Sequence, residues 1–538
     1  MSTDSRSSVV TRSPRGEVVL PPCETDPEIL AGWNEDAAHY PGGCCDELFF
    51  PRSEGEVAAI LLRGRACLPV GSQSSLTGGA TPRGGSLISL ARMNAVELGA
   101  GPTVGCGAGT ILADLAELLR DHDRYYPPVP TFDGATIGGN LATNAAGAAT
   151  FRHGTTRDWV QGLTVVMPWG EVLELERDRC RADADGQFQI LSELRGEVIV
   201  SVPSVRQPDV AKNSCGYFGR PGMDLVDLFV GAEGTLGVIT SVRMRTISPR
   251  PSWFVVLVSP KDDASAVAVT NDLRELAADE NAVAVSAIEY MDRACVELLA
   301  EDAIAEREAL ALDERAGAYL LIQVELPSDY DATRAYDELA SGLNTAGPLA
   351  RVARVLSDHG LLDGALPALP GEDGRRSALF AVREAVPEGV NRRVARAKRE
   401  SGSTISKSGG DVIVPFARLA EALFAYRHIL DDARLQHATW GHISDGNVHP
   451  NIIARNEAEM ADAQAAQKAI ALEAIRLGGA PMAEHGVGRN PLKQALLASF
   501  QGPEGMVSMR AVREALDPDG VLAPGVLWPG PDFEEGRK

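Results

Sequence analysis

Between about residue 45 and residue 248, short apolar runs alternate with glycine-rich polar loops, the pattern of short strands with occasional helices between them. Residues 66–94 read as strand, glycine loop, strand. "GTILADLAELLRDH" (109–122) has helical spacing of its leucines, and "GLTVVMPWGEVLELE" (162–176) reads as a hairpin. Residues 227–249 read as a helix end, a glycine turn and a strand. Pro249 and Pro251 mark a boundary. Beyond it, strands are predicted at "WFVVLVSP", "VSAIEYM", "YLLIQVELP" and "ARVARVL" (350–356), with a helix beginning near Asp262 and Ala-rich helices between. This alternation predicts a mixed sheet with helices on one face. A Gly/Pro-rich loop is expected over 357–376. Then come a helix around 380–390, a strand "DVIVP", and helices over 416–433 and 456–477, before a tail of short helices. Residues 1–20, rich in Ser, Arg and Pro, are expected to be disordered.

Length and composition narrow the class. The 538 residues predict two or three domains with a sizeable core. Net charge is −23 without a basic stripe, which argues against nucleic acid and anionic membranes as partners. No apolar run approaches the roughly 18 residues of a membrane span, and the first twenty residues lack a signal-peptide core. The expected location is cytoplasmic, peripheral at a membrane only through a partner. Eight scattered cysteines include no Cys-x-x-Cys pair, so neither a zinc ribbon nor a cysteine-ligated iron–sulfur cluster is encoded.

One short segment carries candidate metal chemistry. In "GHISDGNVH" (441–449), Asp445-Gly446 is a strong signal for a two-residue hairpin turn. That turn places His442 opposite His449 and puts both on one face with Trp440 and Asn451. Opposed residues have Cβ atoms roughly 4.5–5.5 Å apart, so two imidazoles can reach one ion at about 2.0–2.1 Å each. A solvated polar face fits the same residues.

Other motifs exclude or suggest. "GCGAGT" (105–110) is not a nicotinamide fingerprint, and neither a Walker-type loop nor a G-x-S-x-G elbow is present. Three small-residue loops, "PVGSQSSLTGGA" (69–80), "TIGGNLATNAAG" (136–147) and "GAEGTLG" (231–237), offer successive backbone N–H groups of the kind that cradle a pyrophosphate. Together they suggest an extended cofactor in a loop-lined groove.

These loops occur in a longer ordered series with "PPVPTFDGATIGGNLATNAAG", "HGTTRDWVQGLTVVMPWGEVL", "DLFVGAEGTLGVIT", "GHISDGNVHPN", "AEHGVG" and "LDPDGVLAPG", spanning roughly residues 45 to 528. The chain resembles the flavin-dependent oxidases and dehydrogenases of the vanillyl-alcohol oxidase type. Within them it is similar to the D-2-hydroxyacid dehydrogenases: D-lactate dehydrogenase, D-2-hydroxyglutarate dehydrogenase and the glycolate oxidase flavin subunit.

The resemblance implies an α+β protein. A two-subdomain PCMH-type FAD-binding domain (43–248) would follow an N-terminal extension (1–42). A ferredoxin-like α+β substrate or cap domain (249–455) and a small helical C-terminal segment (456–538) would complete it. FAD would contact Val70, Gly71, Ser72, Gln73, Ser74, Ser75, Leu76, Thr131, Thr136, Gly138, Gly139, Asn140, Thr143, Glu233, Gly234, Gly237 and Ile239. Gln73 and serines stand where many relatives carry a flavin-linking histidine, which implies non-covalent FAD.

On the substrate side, His442, His449 and Glu484 would hold a divalent metal, zinc or manganese, with His485 as the base. Arg383 would bind the substrate carboxylate, with Lys407 and Asn451 as further substrate contacts. Pro387 stands where some dicarboxylate-specific relatives carry a hydroxyl, which disfavours a close copy of their pocket.

The implied reaction converts a D-2-hydroxy acid to the 2-oxo acid. The hydride goes from C2 to flavin N5, and the electrons leave to a quinone, a cytochrome, an electron-transfer flavoprotein or an iron–sulfur subunit. The alternative is an alkyldihydroxyacetone-phosphate synthase-like flavoenzyme without net redox; Glu484 stands where those enzymes carry a run of histidines. A flavin-free iron oxygenase would leave the three loops unexplained, and a non-catalytic flavoprotein would not need His485 and Arg383.

Overall fold

The computed structural model describes residues 8–530, apart from Val129, Thr131, residues 280–282, Asn344, residues 402–404 and Ser406. In the first half, strands Glu47–Phe49, Ser86–Ser89 and Cys67–Val70 pair in parallel, with Cys23–Glu24 antiparallel at the outer edge. A five-stranded antiparallel sheet runs in the order Val96–Leu98, Thr103–Gly107, Val238–Arg245, Val160–Val166, Val172–Glu176. Helix Leu112–Asp121 forms because Leu112, Leu115 and Leu119 fall on one buried stripe. The segment expected to be disordered is partly ordered: Ser8–Val10 pairs with Gln187–Ser192, and Arg12 is ion-paired to Glu54 at 2.7 Å and to Glu174 at 3.0 Å.

The second half is built on one eight-stranded sheet. Its central order is Ser252–Val258, Ala318–Leu326, Ala284–Asp292, His437–His442, Asn447–Ile452. Every named pair in it is antiparallel, so the expected mixed sheet is corrected. Helices also cover both faces rather than one. Phe254, Val256 and Val258 pack with Val269 and Leu273 of helix Asp263–Ala278. Val255 and Leu257 pack with Leu298 and Leu379 of helices Arg293–Glu301 and Asp373–Ser401. The continuous apolar run of "WFVVLV" is the trace of this two-sided burial.

A further correction concerns "ARVARVL". Residues Pro348–Asp358 are a helix, not a strand, with Pro348 in its first turn and Leu349, Val352, Ala353 and Leu356 buried. Spacings of three and four outweigh the valines' preference for strands. The tail is longer than expected as well: Pro491–Leu516 is helical, bent at Gly502.

The C-terminal end returns to the first half. The Cys67 N–H donates to the Val521 carbonyl (2.8 Å), and the Ala523 N–H donates to the Cys67 carbonyl (2.7 Å). Among the described residues no helix is long and apolar enough to cross a membrane.

Candidate functional site

The three glycine loops converge on one cleft of about 1560 Å³, its open mouth included. Residues 70–76, Thr136, Gly138, Gly139, Asn140, Thr143, Glu233, Gly234, Gly237 and Ile239 all line it. Thr131, also predicted, lies outside the described residues. The apolar walls, Leu90, Ala108, Phe132 and Phe229, gave no motif signal.

The loop 71–76 is held from behind. Ala37 and Ala38 donate their N–H groups to the Gln73 and Ser75 carbonyls, and the Gln73 amide donates to the Trp33 and Ala80 carbonyls. Among the described residues, the backbone N–H groups of Gln73, Ser74 and Ser75 find no protein acceptor. The Asn140 Nδ2 is buried and unpartnered. Gly71 lets two loops touch, because a Cβ there would sit 1.9 Å from Thr136 Oγ1. Free donors in a deep groove fit an extended dinucleotide diphosphate.

Glu233 lines the cleft, but its carboxylate turns elsewhere. It accepts the N–H groups of Val487 and Gly488, both at 2.8 Å, and so anchors the loop that carries His485. Burial outweighs those donors and pushes its pKa up to about 7.

The histidine hairpin differs from expectation in its turn. A 3₁₀ turn, Ile443–Asp445, closes it through Gly446 at φ +85°, and His442 pairs with Asn447 while Trp440 pairs with His449. The register is displaced by two residues from the expected one. Side chains alternate with period two, so His442 and His449 still share a face with Trp440 and Asn451. Their rings lie 5.5 Å apart.

Glu484 Oε1 lies 3.4 Å from His442 Nε2 and 3.4 Å from His449 Nε2. Two ligand atoms each about 2.1 Å from a tetrahedral ion are roughly 3.4 Å apart. Both distances therefore match those of ligands on a small divalent cation. His442 Nδ1 donates to Glu289 on the neighbouring strand, directly across the sheet, which leaves Nε2 free to face Glu484.

Arg383 is buried, and its Nε donates to the other Glu289 oxygen at 2.6 Å. Among the described residues its terminal Nη groups have no hydrogen-bond partner. Burial would raise the Glu289 pKa, but the charges of His442 and Arg383 prevail and hold it down at about 2. Lys407 keeps an exposed side chain with Nζ 5.8 Å from the Trp440 ring centroid; the surrounding protein and then the Arg383 charge lower its pKa. Asn451 donates Nδ2 to the His449 carbonyl at 2.8 Å.

His485 joins the cluster from the C-terminal segment. Its Nε2 is 3.6 Å from Glu484 Oε1, and its Nδ1 faces Asp411 Oδ2 at 3.4 Å. Burial lowers its pKa although 29 % of the side chain reaches solvent, so the ring is neutral near pH 7.

Sequence reasoning missed Asp411, Lys212 and Glu289. Asp411 is buried and accepts the backbone N–H groups of Glu484 (3.1 Å) and His485 (2.8 Å). With His449, Glu484 and His485 it forms a group whose donor atoms all lie within 4.8 Å of one another. Lys212 is buried 3.0 Å from Glu484 Oε2 and 3.1 Å from Asp445 Oδ2. For Glu289 a signal existed: a lone acid in an apolar strand must find a partner. Asp411 sits in a short connection between two strands and Lys212 in the long loop 202–224, neither marked by any pattern.

Glu484 and His485 line the same cleft as the three glycine loops, so the groove and the donor cluster are one site. Residues 46–176 match the family model described as FAD binding domain, and residues 250–527 match FAD linked oxidases, C-terminal domain. The chain belongs to the FAD-linked oxidase family. It is an FAD-linked oxidoreductase with a mixed α and β architecture.

Relatives match along most of its length. The D-lactate dehydrogenase of Anaerostipes hadrus is 28% identical over 514 residues, covering 92% of this chain and 93% of that protein. The glycolate oxidase subunit GlcD of Bacillus subtilis is 27% identical, covering 90% and 89%. The mitochondrial D-2-hydroxyglutarate dehydrogenase of Bos taurus is 30% identical, covering 94% and 81%. Among solved structures, an alkyldihydroxyacetonephosphate synthase superposes with TM-score 0.62 over 94% of this chain and 83% of that one. At 16% identity this shows a shared fold and nothing of function.

Proposed function

We propose that this FAD-linked oxidoreductase oxidises a D-2-hydroxy acid to the 2-oxo acid, with FAD bound non-covalently in the groove. A divalent ion, zinc or manganese, would be held by His442, His449 and Glu484. The observation that carries the reading is the continuity of the flavin groove with Glu484 and His485. The names of relatives matched over most of their length, two dehydrogenases and a glycolate oxidase subunit, support the substrate class.

FAD in the groove lined by the glycine loops would supply a hydride acceptor, and an ion held by His442, His449 and Glu484 would make a coordinated hydroxyl more acidic. The Arg383 fork, free at both Nη groups, and Lys407 bind the substrate carboxylate. Asn451, on the ligand face, orients the substrate. His485 takes the hydroxyl proton on Nε2, with Nδ1 turned to Asp411. Glu289 fixes His442 and Arg383 together, so ligand and carboxylate anchor keep one mutual geometry. The electrons then pass to a separate acceptor: a quinone, a cytochrome, an electron-transfer flavoprotein or an iron–sulfur subunit.

The test is the visible spectrum of the purified protein under anaerobic conditions. D-2-hydroxy acids are expected to bleach the flavin bands, L-acids are not, and chelation is expected to abolish the bleaching. Bleaching that survives complete metal removal would sink the metal role. A flavin that no hydroxy acid bleaches would sink the substrate class.

A further inference from the structure

Lys212 lies in the loop between strand Gly196–Ser201 and helix Leu225–Phe229, in the flavin-binding half. Its side chain is 1% exposed, and its ammonium touches Glu484 Oε2 at 3.0 Å and Asp445 Oδ2 at 3.1 Å. Three segments distant in sequence thus meet at one buried cation. The surroundings hold it there: the Gly486 N–H donates to Ser214 Oγ (3.2 Å), and the Ser214 N–H donates to the Met482 carbonyl (3.2 Å).

The Glu484 carboxylate is consequently split. Oε1 faces the two hairpin histidines, and Oε2 faces the lysine. A carboxylate with both oxygens free can bind one cation through both. Asp445, three residues after His442 in the hairpin turn, is another oxygen donor within reach of the same nitrogen. A 2-hydroxy acid chelating through carboxylate and hydroxyl needs two vacant coordination positions, and the second Glu484 oxygen would take one.

We propose that Lys212 is a positioning residue that restricts Glu484 to a single ligand oxygen, so that coordination positions stay open for the substrate. The proposal rests on the metal-site reading above. It differs from simple neutralisation of buried charge in sign. Loss of a structural cation disorders the site and weakens metal binding. Loss of a cation that withholds a ligand oxygen strengthens metal binding while turnover falls.

The experiment compares holo-protein of the wild type, Lys212→Met, Lys212→Arg and the double variant Lys212→Met/Asp445→Asn. Mn²⁺ affinity is measured by chelator competition, alongside kcat with a D-2-hydroxy acid; flavin absorbance and melting temperature report folding. Lys212→Met is expected to bind Mn²⁺ about tenfold or more tightly than the wild type, since a nearby positive charge is gone and the second Glu484 oxygen is released. Its kcat is expected to fall about 100-fold because the substrate is displaced. Lys212→Arg, which keeps the charge, is expected to restore both toward wild type.

The double variant leaves no unpaired Asp445 and is expected to keep wild-type or tighter Mn²⁺ binding with reduced kcat, even if Lys212→Met does not fold. Weaker Mn²⁺ binding in either folded variant, or an unchanged kcat, overturns the proposal. Failure of both to fold with flavin assigns Lys212 to folding and overturns it too. A wild type that binds no divalent ion overturns the metal-site reading itself, and that result is seen before any substitution is made.

Discussion

Glu289 holds His442 with one oxygen and Arg383 with the other, so one buried acid aligns a candidate ligand and a candidate carboxylate anchor. Glu289→Gln keeps the shape but frees the imidazole to rotate. Divalent affinity is expected to drop about 10–100-fold with flavin retained, measured by metal titration of the chelated protein. Glu233 presents an acid in the opposite electrostatic state. Its folded pKa is raised to about 7 by burial, so the folded state binds more protons than the unfolded one between the ordinary glutamate value and pH 7. Its contribution to stability is therefore present at low pH and lost as pH rises through about 7. The stability of wild type relative to Glu233→Gln is expected to decline over that window and level off above it, read by denaturant unfolding at a series of pH values. At this scale His442 and His449 were legible because their hairpin is local, and Glu484 and His485 through the resemblance to a family, whereas Lys212 and Asp411 act through partners distant in sequence, 233 or more positions away for Lys212 and 36 or more for Asp411.

Among the elements, the hairpin shows why an error of register can leave a site intact. A displacement of two residues preserves which side chains share a face, whereas a displacement of one would have sent His442 and His449 to opposite sides. Pro348–Asp358 shows the converse: its valines favoured a strand, but the spacing of Leu349, Val352 and Leu356 buries a helical stripe. The glycine loops were legible because small residues in series have few other uses, and Gly71 makes the point testable. Gly71→Ala drives a Cβ to within 1.9 Å of Thr136 Oγ1, so the two loops must part. Overpacking of this kind costs about 1–3 kcal/mol. FAD affinity is expected to fall about tenfold or more, measured by titrating the flavin-free protein with FAD.

Across the whole molecule, the candidate site exists only where distant segments meet: the glycine loops, the hairpin and the 484–488 loop. The C-terminal residues secure that closure. Asp517 accepts the N–H groups of Val521 and Leu522, both at 2.9 Å, and the segment they begin bridges to Cys67 just before the first glycine loop. Asp517→Ala leaves two buried donors unpaired at a cost of about 1–3 kcal/mol each. A lower melting temperature and faster loss of flavin on dilution are expected together; a lower melting temperature with unchanged flavin retention would separate this segment from the groove.

By itself, the sequence determined the local features: the glycine loops, the histidine pair on one face, and most strands and helices; the Glu484-His485 pair entered through the resemblance to a family. Each follows from spacing within a few residues. Only the tertiary structure decided that the large sheet is antiparallel and covered on both faces, that Glu289 joins His442 to Arg383, and that Lys212 divides the oxygens of Glu484. Burying a charge is costly unless another charge meets it, and which charge does so depends on the path of the whole chain.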